Sequence, residues 1–282
     1  MRTRATVAAA VGALAFSALR MPAAHAADSA ATSGTPYTMD VSFSNFKVAK
    51  SVKVGTSAVV AVPVSYTLTH GSGVDITADD FYTEPFLYRG TFGDDSTPQL
   101  FGEDLATCTA TSSTTATCKG AIDIHPADGD LLNSQAGVWK AGADAIAFNG
   151  QDPASDSLDY GKVGYKEQGG LGSTSVLRLA KLIVNAGPEP VTKGRTVTST
   201  GKLTRADWQS HTYKGFAKQP VKLQFRKAGT STYTTIKTVY SDAYGNVKAT
   251  GTATYDGYWR LSFAGTTTTA SVSATGDYVD VK

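Results

Sequence analysis

The chain has 282 residues and a formal net charge of +2. This length suits one large domain or two small ones. Gly and Thr are abundant and helical periodicity is nearly missing, which argues against a helical protein and predicts an all-β fold.

The small net charge conceals two halves of opposite sign. Residues 28–175 contain eight Lys and Arg against eighteen Asp and Glu, a balance of −10, whereas residues 176–282 contain fifteen against six, a balance of +9. Two interpretations remain open. The halves are two solvated surfaces that attract each other, or the acidic half binds cations while the basic half meets a polyanion such as a wall polymer or extracellular nucleic acid.

The first 26 residues have the organisation of a secretory signal peptide. Arg2 and Arg4 give a positive start, residues 7–19 are apolar, and Ala24-His25-Ala26 fits cleavage before residue 27. The apolar run is too short to anchor the chain in a bilayer, and the C-terminus carries no apolar tail. We therefore expect a secreted, extracellular protein without a membrane anchor, in which residues 27–36 form a disordered N-terminus.

Residues 37–166 predict an acidic β-sandwich domain. Apolar residues recur at every second position in residues 58–69, and Pro63, which cannot donate a hydrogen bond, indicates a sheet edge or a bulge there. Residues 81–101 are rich in aromatic residues but interrupted by Pro and Gly, so we expect a loop with a strand only at 86–88. Trp139 is expected between the two sheets, as in other sandwiches.

Cys108 and Cys118 are the two cysteines of the chain and are separated by an alternating, Thr-rich spacer. An exported protein with one such pair favours a disulfide over a metal site or a redox pair. The spacing predicts two strands of one hairpin, joined across the sheet.

Residues 167–175, EQGGLGSTS, are rich in Gly and Ser and predict a short linker. Beyond it, residues 176–282 predict a basic, immunoglobulin-like β-sandwich domain of seven short strands. The segments QPVKLQFR and GYWRLSF alternate strictly, which places their Lys and Arg on the solvent face. The fold class is therefore all-β, with two immunoglobulin-like β-sandwich domains in tandem after a signal peptide.

Two stretches rich in aromatic residues, 81–101 and 204–219, are candidate binding loops, because function on a sandwich tends to lie in its long loops. The alternative is that these rings fold back over the ends of the sheets. The candidate ligand-contact residues are Tyr82, Phe92, Trp208, Tyr213 and Phe216.

Calcium is the one ion that the acidic loops suggest. Asp123, Asp128 and Asp130 offer hard oxygen ligands in the run DIHPADGD, although they do not fit the twelve-residue EF-hand pattern. The alternative is an ordinary solvated acidic loop. No other cofactor is expected.

No catalytic motif is recognisable. His70, His125 and His211 are far apart in the sequence, and none belongs to a nucleophile or zinc motif. We therefore expect a protein that is not an enzyme.

The second domain resembles a group of uncharacterised, exported actinobacterial proteins of Streptomyces type. The resemblance is carried by KLIVNAGPEPVTKGRTVTSTGKLTRADW, QPVKLQFRKAGTSTYTTIKTV, GYWRLSFAGTTTT and the terminal GDYVDVK, with AGVWKA and the short Cys–Cys hairpin in the first domain. It implies secretion and a C-terminal immunoglobulin-like or prealbumin-like sandwich, and it implies no activity.

These features together predict a secreted, non-catalytic binding or structural protein that acts through sandwich surfaces and loops at or near the cell envelope. The expected partner is an extracellular protein or a cell-wall polymer, with no nucleic acid, and the expected state is a monomer. The alternatives are a secreted hydrolase, an enzyme inhibitor or a calcium-binding extracellular module.

Overall fold

The structure, a computed structural model, describes residues 34–94 and 96–282. The predicted signal peptide, and the predicted disordered segment as far as residue 33, lie outside the described residues. Within them the chain is almost entirely β, with two single 3-10 turns at Asn133–Gln135 and Tyr160–Lys162. The prediction of an all-β class is confirmed.

The strands have the following bounds in chain order: β1 (Tyr37–Thr38), β2 (Val41–Lys47), β3 (Ser51–Val54), β4 (Val60–His70), β5 (Phe81–Tyr88), β6 (Gln99–Leu100), β7 (Thr107–Ala110), β8 (Thr115–Ile124), β9 (Gly137–Ala147), β10 (Gly164–Arg178), β11 (Ala180–Gly187), β12 (Thr196–Asp207), β13 (Thr212–Gly215), β14 (Pro220–Lys227), β15 (Thr234–Tyr240), β16 (Asn246–Thr252), β17 (Gly257–Phe263), β18 (Val272–Ser273) and β19 (Asp277–Val279). No helix in residues 34–94 or 96–282 has the length and apolar character needed to cross a membrane.

The chain divides into two compact units. Unit 1 comprises the described residues up to Val52 together with Val59–Ile124 and Val138–Thr174, and unit 2 comprises Lys53–Ala58, His125–Gly137 and Ser175–Lys282. Two segments from early in the chain therefore belong to the second unit, which the sequence did not predict.

The predicted linker at residues 167–175 is wrong, because all of it lies in strand β10. Side chains hold this Gly-rich strand in place. The Gln168 side chain donates to the Phe43 carbonyl and accepts from the Phe43 N–H, each at 2.9 Å, and the Thr174 hydroxyl donates to the Ala49 carbonyl at 2.7 Å. A strand needs only its backbone to pair, so a run of Gly and Ser can join a sheet when its neighbours supply such anchors.

Unit 1 is a sandwich of two sheets. One has the strand order β1-β10-β9-β5-β6 with β3 also paired to β10, and the other has the order β2-β4-β8-β7. Apolar residues of both sheets form its core, which includes Val41, Phe43, Tyr66, Leu68, Phe81, Cys118, Ala143 and Ala145. Trp139 is fully buried on β9, as predicted.

Two prolines in strands of unit 1 lie where the strand is paired on one side. Pro63 pairs with Ala121 of β8, but the pairing of β2 with β4 stops at Ser65, so none of the described strands pairs with Pro63 on its other side. Pro85 likewise pairs with β9 at a point that β6 does not reach. Each missing N–H therefore costs no strand-to-strand hydrogen bond.

The predicted loop at residues 81–101 is largely wrong, since β5 occupies Phe81–Tyr88 and β6 occupies Gln99–Leu100. Only residues 89–98 connect them. The sequence obscured β5 because nearly every residue of this strand is buried, so the two-residue alternation disappears.

The disulfide prediction is confirmed. Cys108 on β7 lies directly opposite Cys118 on β8, with a Cα–Cα distance of 4.0 Å.

Unit 2 is also a sandwich. One sheet has β12 at its centre, paired with β11, β13 and β16, and the other has the order β15-β14-β17-β18 with β19 also paired to β17. The core between them includes Leu182, Val197, Leu203, Val221, Leu223, Val247, Trp259, Leu261 and Phe263. Strict alternation in β14 and β17 gives each strand one face in this core and one face in water.

The turn after β12 forms hydrogen bonds with the two upstream segments of unit 2, Lys53–Ala58 and His125–Gly137. The fully buried Trp208 donates its indole N–H to the Val54 carbonyl at 3.3 Å, and its backbone N–H donates to Asn133 Oδ1 at 3.0 Å. The predicted long loop at 204–219 is therefore wrong in part: β12 continues to Asp207 and returns through β13.

Asp207 completes this turn. Burial alone would raise the pKa of its carboxyl group, but hydrogen bonds from the Asn133, Lys214 and Ser210 side chains and from the Ser210 backbone outweigh burial and hold the pKa well below its ordinary value. The Lys214 ammonium lies 3.1 Å from the carboxylate, whose side chain is 14% exposed.

Removal of the disulfide should destabilise the protein without changing its fold. The Cys108→Ala/Cys118→Ala variant is expected to lose about 2–3 kcal/mol of unfolding free energy, because the cross-link no longer restricts the short loop in the unfolded chain. Urea unfolding followed by circular dichroism measures the loss, and wild-type protein with a reductant is the matched control. Equal unfolding midpoints for oxidised wild type, reduced wild type and variant would contradict this expectation.

Because of Asp207, the stability of the folded protein should depend on pH. Because the pKa of this carboxyl group is lower in the folded state than in the unfolded state, its contribution is complete above the unfolded pKa of about 4 and is lost as the pH falls below it. The wild type should therefore melt at a higher temperature than Asp207→Asn at about pH 7, and this difference should shrink towards about pH 2.5. A difference that stays constant across this range would refute the assignment.

Candidate functional site

The outer face of the sheet β15-β14-β17 carries a connected set of arginine and tyrosine side chains. The core residues of β14 and β17 point inward, so the residues between them face outward. The register places Arg226 opposite Tyr258 and Gln224 opposite Arg260. We call this set the Arg–Tyr cluster; it consists of Arg226, Arg260, Tyr233, Tyr258 and Tyr278.

Cation–π contacts join the members of the Arg–Tyr cluster. The Arg226 guanidinium lies 4.0 Å from the ring centroid of Tyr258 and 5.3 Å from that of Tyr233. The Arg260 guanidinium lies 3.7 Å from the Tyr233 centroid. Tyr278 extends the set edge-on, with its centroid 5.2 Å from that of Tyr258. Such contacts contribute about 0.5–1 kcal/mol each at exposed sites, so their main effect here is to fix the orientation of the guanidinium groups.

Hydrogen bonds also fix the orientation of the Arg226 and Arg260 guanidinium groups. Arg260 Nε donates to Gln224 Oε1 at 2.8 Å, and Arg226 Nη1 donates to the Thr230 carbonyl. A guanidinium has five N–H donors, so each group keeps most of its donors for an external acceptor. Gly276 lets Tyr233 pack closely, because a Cβ there would lie 2.2 Å from the Tyr233 hydroxyl oxygen.

A smaller contact of the same kind lies in the same unit. The Lys227 ammonium lies 4.3 Å from the Tyr255 ring centroid, and the Lys193 ammonium lies 5.9 Å from it. Tyr255 is exposed. Unit 2 therefore repeatedly combines fixed positive charge with an aromatic ring at its surface, an arrangement that can bind an acidic group beside an apolar ring face.

Two of the predicted ligand-contact aromatics belong to unit 1. Tyr82 is half-buried on β5 and packs edge-on against Phe148 at 6.0 Å. Phe92 is 39% exposed, and its ring covers Gly169 and lies 5.5 Å from that of Tyr88. Both rings pack against residues of their own unit, and Phe92 keeps part of its surface exposed.

The other three predicted aromatics belong to unit 2. Trp208 and Phe216 are buried, so the prediction that they contact a ligand is wrong. The Arg205 guanidinium lies over the Phe216 ring, 3.9 Å from the centroid of that ring. Tyr213 is half-buried beneath the Lys181 ammonium at 3.6 Å, and burial raises the pKa of its hydroxyl. The alternative stated from the sequence, that these rings fold back over the sheet, describes them better.

The three calcium candidates are assigned to different units, with Asp123 in unit 1 and Asp128 and Asp130 in unit 2. Asp123 accepts a hydrogen bond from the Glu103 backbone, and Asp130 accepts one from the His125 backbone at 2.6 Å. Nowhere in residues 34–94 and 96–282 do three His, Cys, Asp or Glu side chains come together in a way that could hold a metal ion.

No family model matches the chain, and no curated protein matches it. The resemblance to exported actinobacterial proteins therefore stays a prediction.

Several solved structures are similar to the chain at low scores. The D0-D1 domain of Intimin aligns over 84% of this chain and 98% of that chain, at 14% identity and a TM-score of 0.25. A DUF4785 family protein from Legionella pneumophila aligns over 77% and 51%, at 13% identity and a TM-score of 0.26. A structure of Dpr2 Ig1-Ig2 in complex with DIP-Theta Ig1-Ig3 aligns over 84% and 66%, at 11% identity and a TM-score of 0.22. At these scores the alignments support no conclusion about function.

The sequence indicated that β14 and β17 carry basic residues on their outer faces, but it did not reveal the Arg–Tyr cluster. The missing information was the register between the strands and the position of Tyr233, which precedes β15. A useful signal was present, since Arg226 and Arg260 alternate with core residues and Tyr258 does the same.

Two neighbouring residues distinguish the surface cluster from the core. Tyr258→Ala should cost about 1 kcal/mol of unfolding free energy, because it removes a cation–π contact with Arg226 and an edge-on ring contact with Tyr278 on a half-buried surface position. Trp259→Ala should cost about 3–5 kcal/mol, because it empties a fully buried site. Urea unfolding of both variants gives the comparison, and equal costs would show that the Arg–Tyr cluster is part of the structural core.

Proposed function

We propose that the protein is a secreted, non-catalytic binding protein whose second unit attaches to acidic polysaccharide at or near the cell envelope. The carrying observation is the Arg–Tyr cluster, in which two guanidinium groups are fixed by rings and hydrogen bonds on an exposed sheet face. Planar guanidinium groups suit carboxylate recognition, and tyrosine rings suit contact with the apolar faces of sugars.

Charge supports an acidic partner. Residues 176–282 carry a balance of +9, so the unit attracts polyanions over the distance of a Debye length, about 8–10 Å. Because the guanidinium groups are already oriented, less conformational entropy is lost when they bind.

Two observations support export. The first 26 residues have the pattern of a secretory signal peptide, and the cysteine pair forms a disulfide, which is typical of oxidising compartments. A surface-binding role also suits a sandwich whose outward residues are Arg, Tyr, Lys and Thr.

Binding to a polymer tests the proposal. Wild-type protein is expected to co-sediment with polygalacturonate, and much less with neutral dextran, at low salt. The Arg226→Gln/Arg260→Gln variant should bind about tenfold more weakly, which corresponds to about 1.4 kcal/mol. Raising the NaCl concentration should weaken wild-type binding, because salt screens exposed charges.

The matched control removes the same amount of charge elsewhere on unit 2. Arg195 and Lys218 are exposed and lie outside the Arg–Tyr cluster, so Arg195→Gln/Lys218→Gln should lose clearly less affinity than the cluster variant. Equal losses would show that net charge alone drives binding. Preferential binding to duplex DNA would favour nucleic acid as the partner and would overturn the proposal.

A further inference from the structure

A groove lies on the outer face of the other sheet of unit 2, and the function proposed above does not use it. Its floor is formed by facing residues of β11, β12 and β16, and its volume is about 760 Å³. This is within the range of about 300–1,000 Å³ typical of small-ligand sites. We call it the sheet groove; its outward-facing lining consists of Ile183, Asn185, Thr200, Lys202, Asn246, Lys248, Tyr240 and Asp242.

The strand register arranges the floor of the sheet groove in two rows. Ile183, Lys202 and Asn246 lie side by side across β11, β12 and β16 in one row. Asn185, Thr200 and Lys248 form the next outward-facing row in the same strand order. Adjacent strands are about 4.8 Å apart and alternate residues about 6.7 Å apart, so the side chains of the two rows project from neighbouring points of one surface.

Apolar side chains stand beside this polar floor. Ile183 is 66% exposed and Tyr240 is 70% exposed. A ligand that fits here has apolar faces as well as polar edges. Sugar rings have this character, because their C–H faces pack against rings and their hydroxyl groups form hydrogen bonds at the edges.

The two lysines give the sheet groove its charge. Among the described residues, neither Lys202 nor Lys248 has a carboxylate within salt-bridge distance. Asp242 is the acidic group of the lining, but it accepts hydrogen bonds from the Tyr244 and Asn246 backbones and from the Asn246 side chain. The Asn246 side-chain bond and the other hydrogen bonds lower the pKa of Asp242, with a smaller contribution from Lys202. The two ammonium groups therefore remain for an external anion.

The amide of Asn246 has a defined orientation. Its Nδ2 donates to Asp242 Oδ2 at 2.9 Å, so its Oδ1 is left as an acceptor for a hydroxyl group. Asn185 on the far strand supplies a second amide, with donors and an acceptor. Acceptors and donors side by side match hydroxyl groups, whereas a bare phosphate chain has only acceptors.

We propose that the sheet groove binds a short segment of an acidic glycan, with the lysines at its carboxylates, the asparagines at its hydroxyl groups, and Ile183 and Tyr240 at its ring faces. This inference rests on the proposed function and specifies its ligand: the Arg–Tyr cluster supplies general attraction to the polymer, and the groove recognises individual sugars.

Calorimetric titration of the full-length protein with trigalacturonate tests the inference. Neutral galactotriose and tripolyphosphate are the two comparison ligands. Trigalacturonate should bind at least tenfold more tightly than either of them, because only it combines ring faces with acidic groups. Equal binding of tripolyphosphate would overturn the inference in favour of a simple anion site, and equal binding of galactotriose would overturn the role of the lysines.

Variants at exposed positions complete the experiment. Lys202→Gln/Lys248→Gln and Tyr240→Ala should each weaken trigalacturonate binding at least tenfold and leave the melting temperature nearly unchanged, since these side chains are exposed. The Arg195→Gln/Lys218→Gln variant is the matched control and should bind the trisaccharide like wild type, because it removes two charges at exposed positions outside both the sheet groove and the Arg–Tyr cluster. Unchanged binding by both groove variants would overturn the inference.

The two proposals fail in different ways. If wild type sediments with polygalacturonate but does not bind trigalacturonate, the groove assignment is overturned and the polymer-binding function stands. If trigalacturonate binds but the cluster variant sediments with polymer like wild type, the groove stands and the role of the Arg–Tyr cluster is overturned.

Discussion

The central strands β14 and β17 of the second sandwich each place one face in an apolar core and the other towards water. In β14 and β17 this constraint fixes the register, because a shift by one residue would move Leu223, Trp259 and Leu261 into solvent. A fixed register in turn determines which outward residues become neighbours. The strand residues of the Arg–Tyr cluster and the two rows of the sheet groove are therefore positioned by core packing, while the connection between β14 and β15 adds Tyr233 and the Thr230 carbonyl to the cluster.

The same constraint explains which features could be predicted from the sequence. The alternating strands, the Cys108–Cys118 hairpin and the buried Trp139 depend on residues close in sequence or on the burial of single side chains. Alternation also placed the basic residues of β14 and β17 on the correct face. It could not show which of them touch, because that depends on pairing between strands that are far apart in the chain.

The errors share a physical cause. The β10 strand at residues 167–175 lacks an apolar pattern, and it is held by partners more than 100 residues away, including Phe43. Trp208 looked like a loop residue because its anchors, Val54 and Asn133, lie far upstream in the sequence. Long-range hydrogen bonds of this kind leave no periodic signal. An aromatic residue in a polar stretch is therefore ambiguous between a ligand contact and a buried anchor.

Two of the arginines in unit 2, Arg178 and Arg205, lie close enough to repel each other. Arg178 is buried, and burial together with the nearby charge of Arg205 lowers the pKa of its guanidinium to about 10, although the Asp207 carboxylate acts in the opposite direction. Both arginines stay charged at neutral pH and repel each other, while hydrogen bonds to the Ala206 carbonyl and to Thr269 hold them in place. A fold that tolerates this repulsion has a net positive field around it. A bound polyanion would offset that field and, because it prefers the folded unit with its ordered guanidinium and ammonium groups, would stabilise the fold by mass action. Surface charge and fold stability are thus coupled through the binding of an acidic ligand.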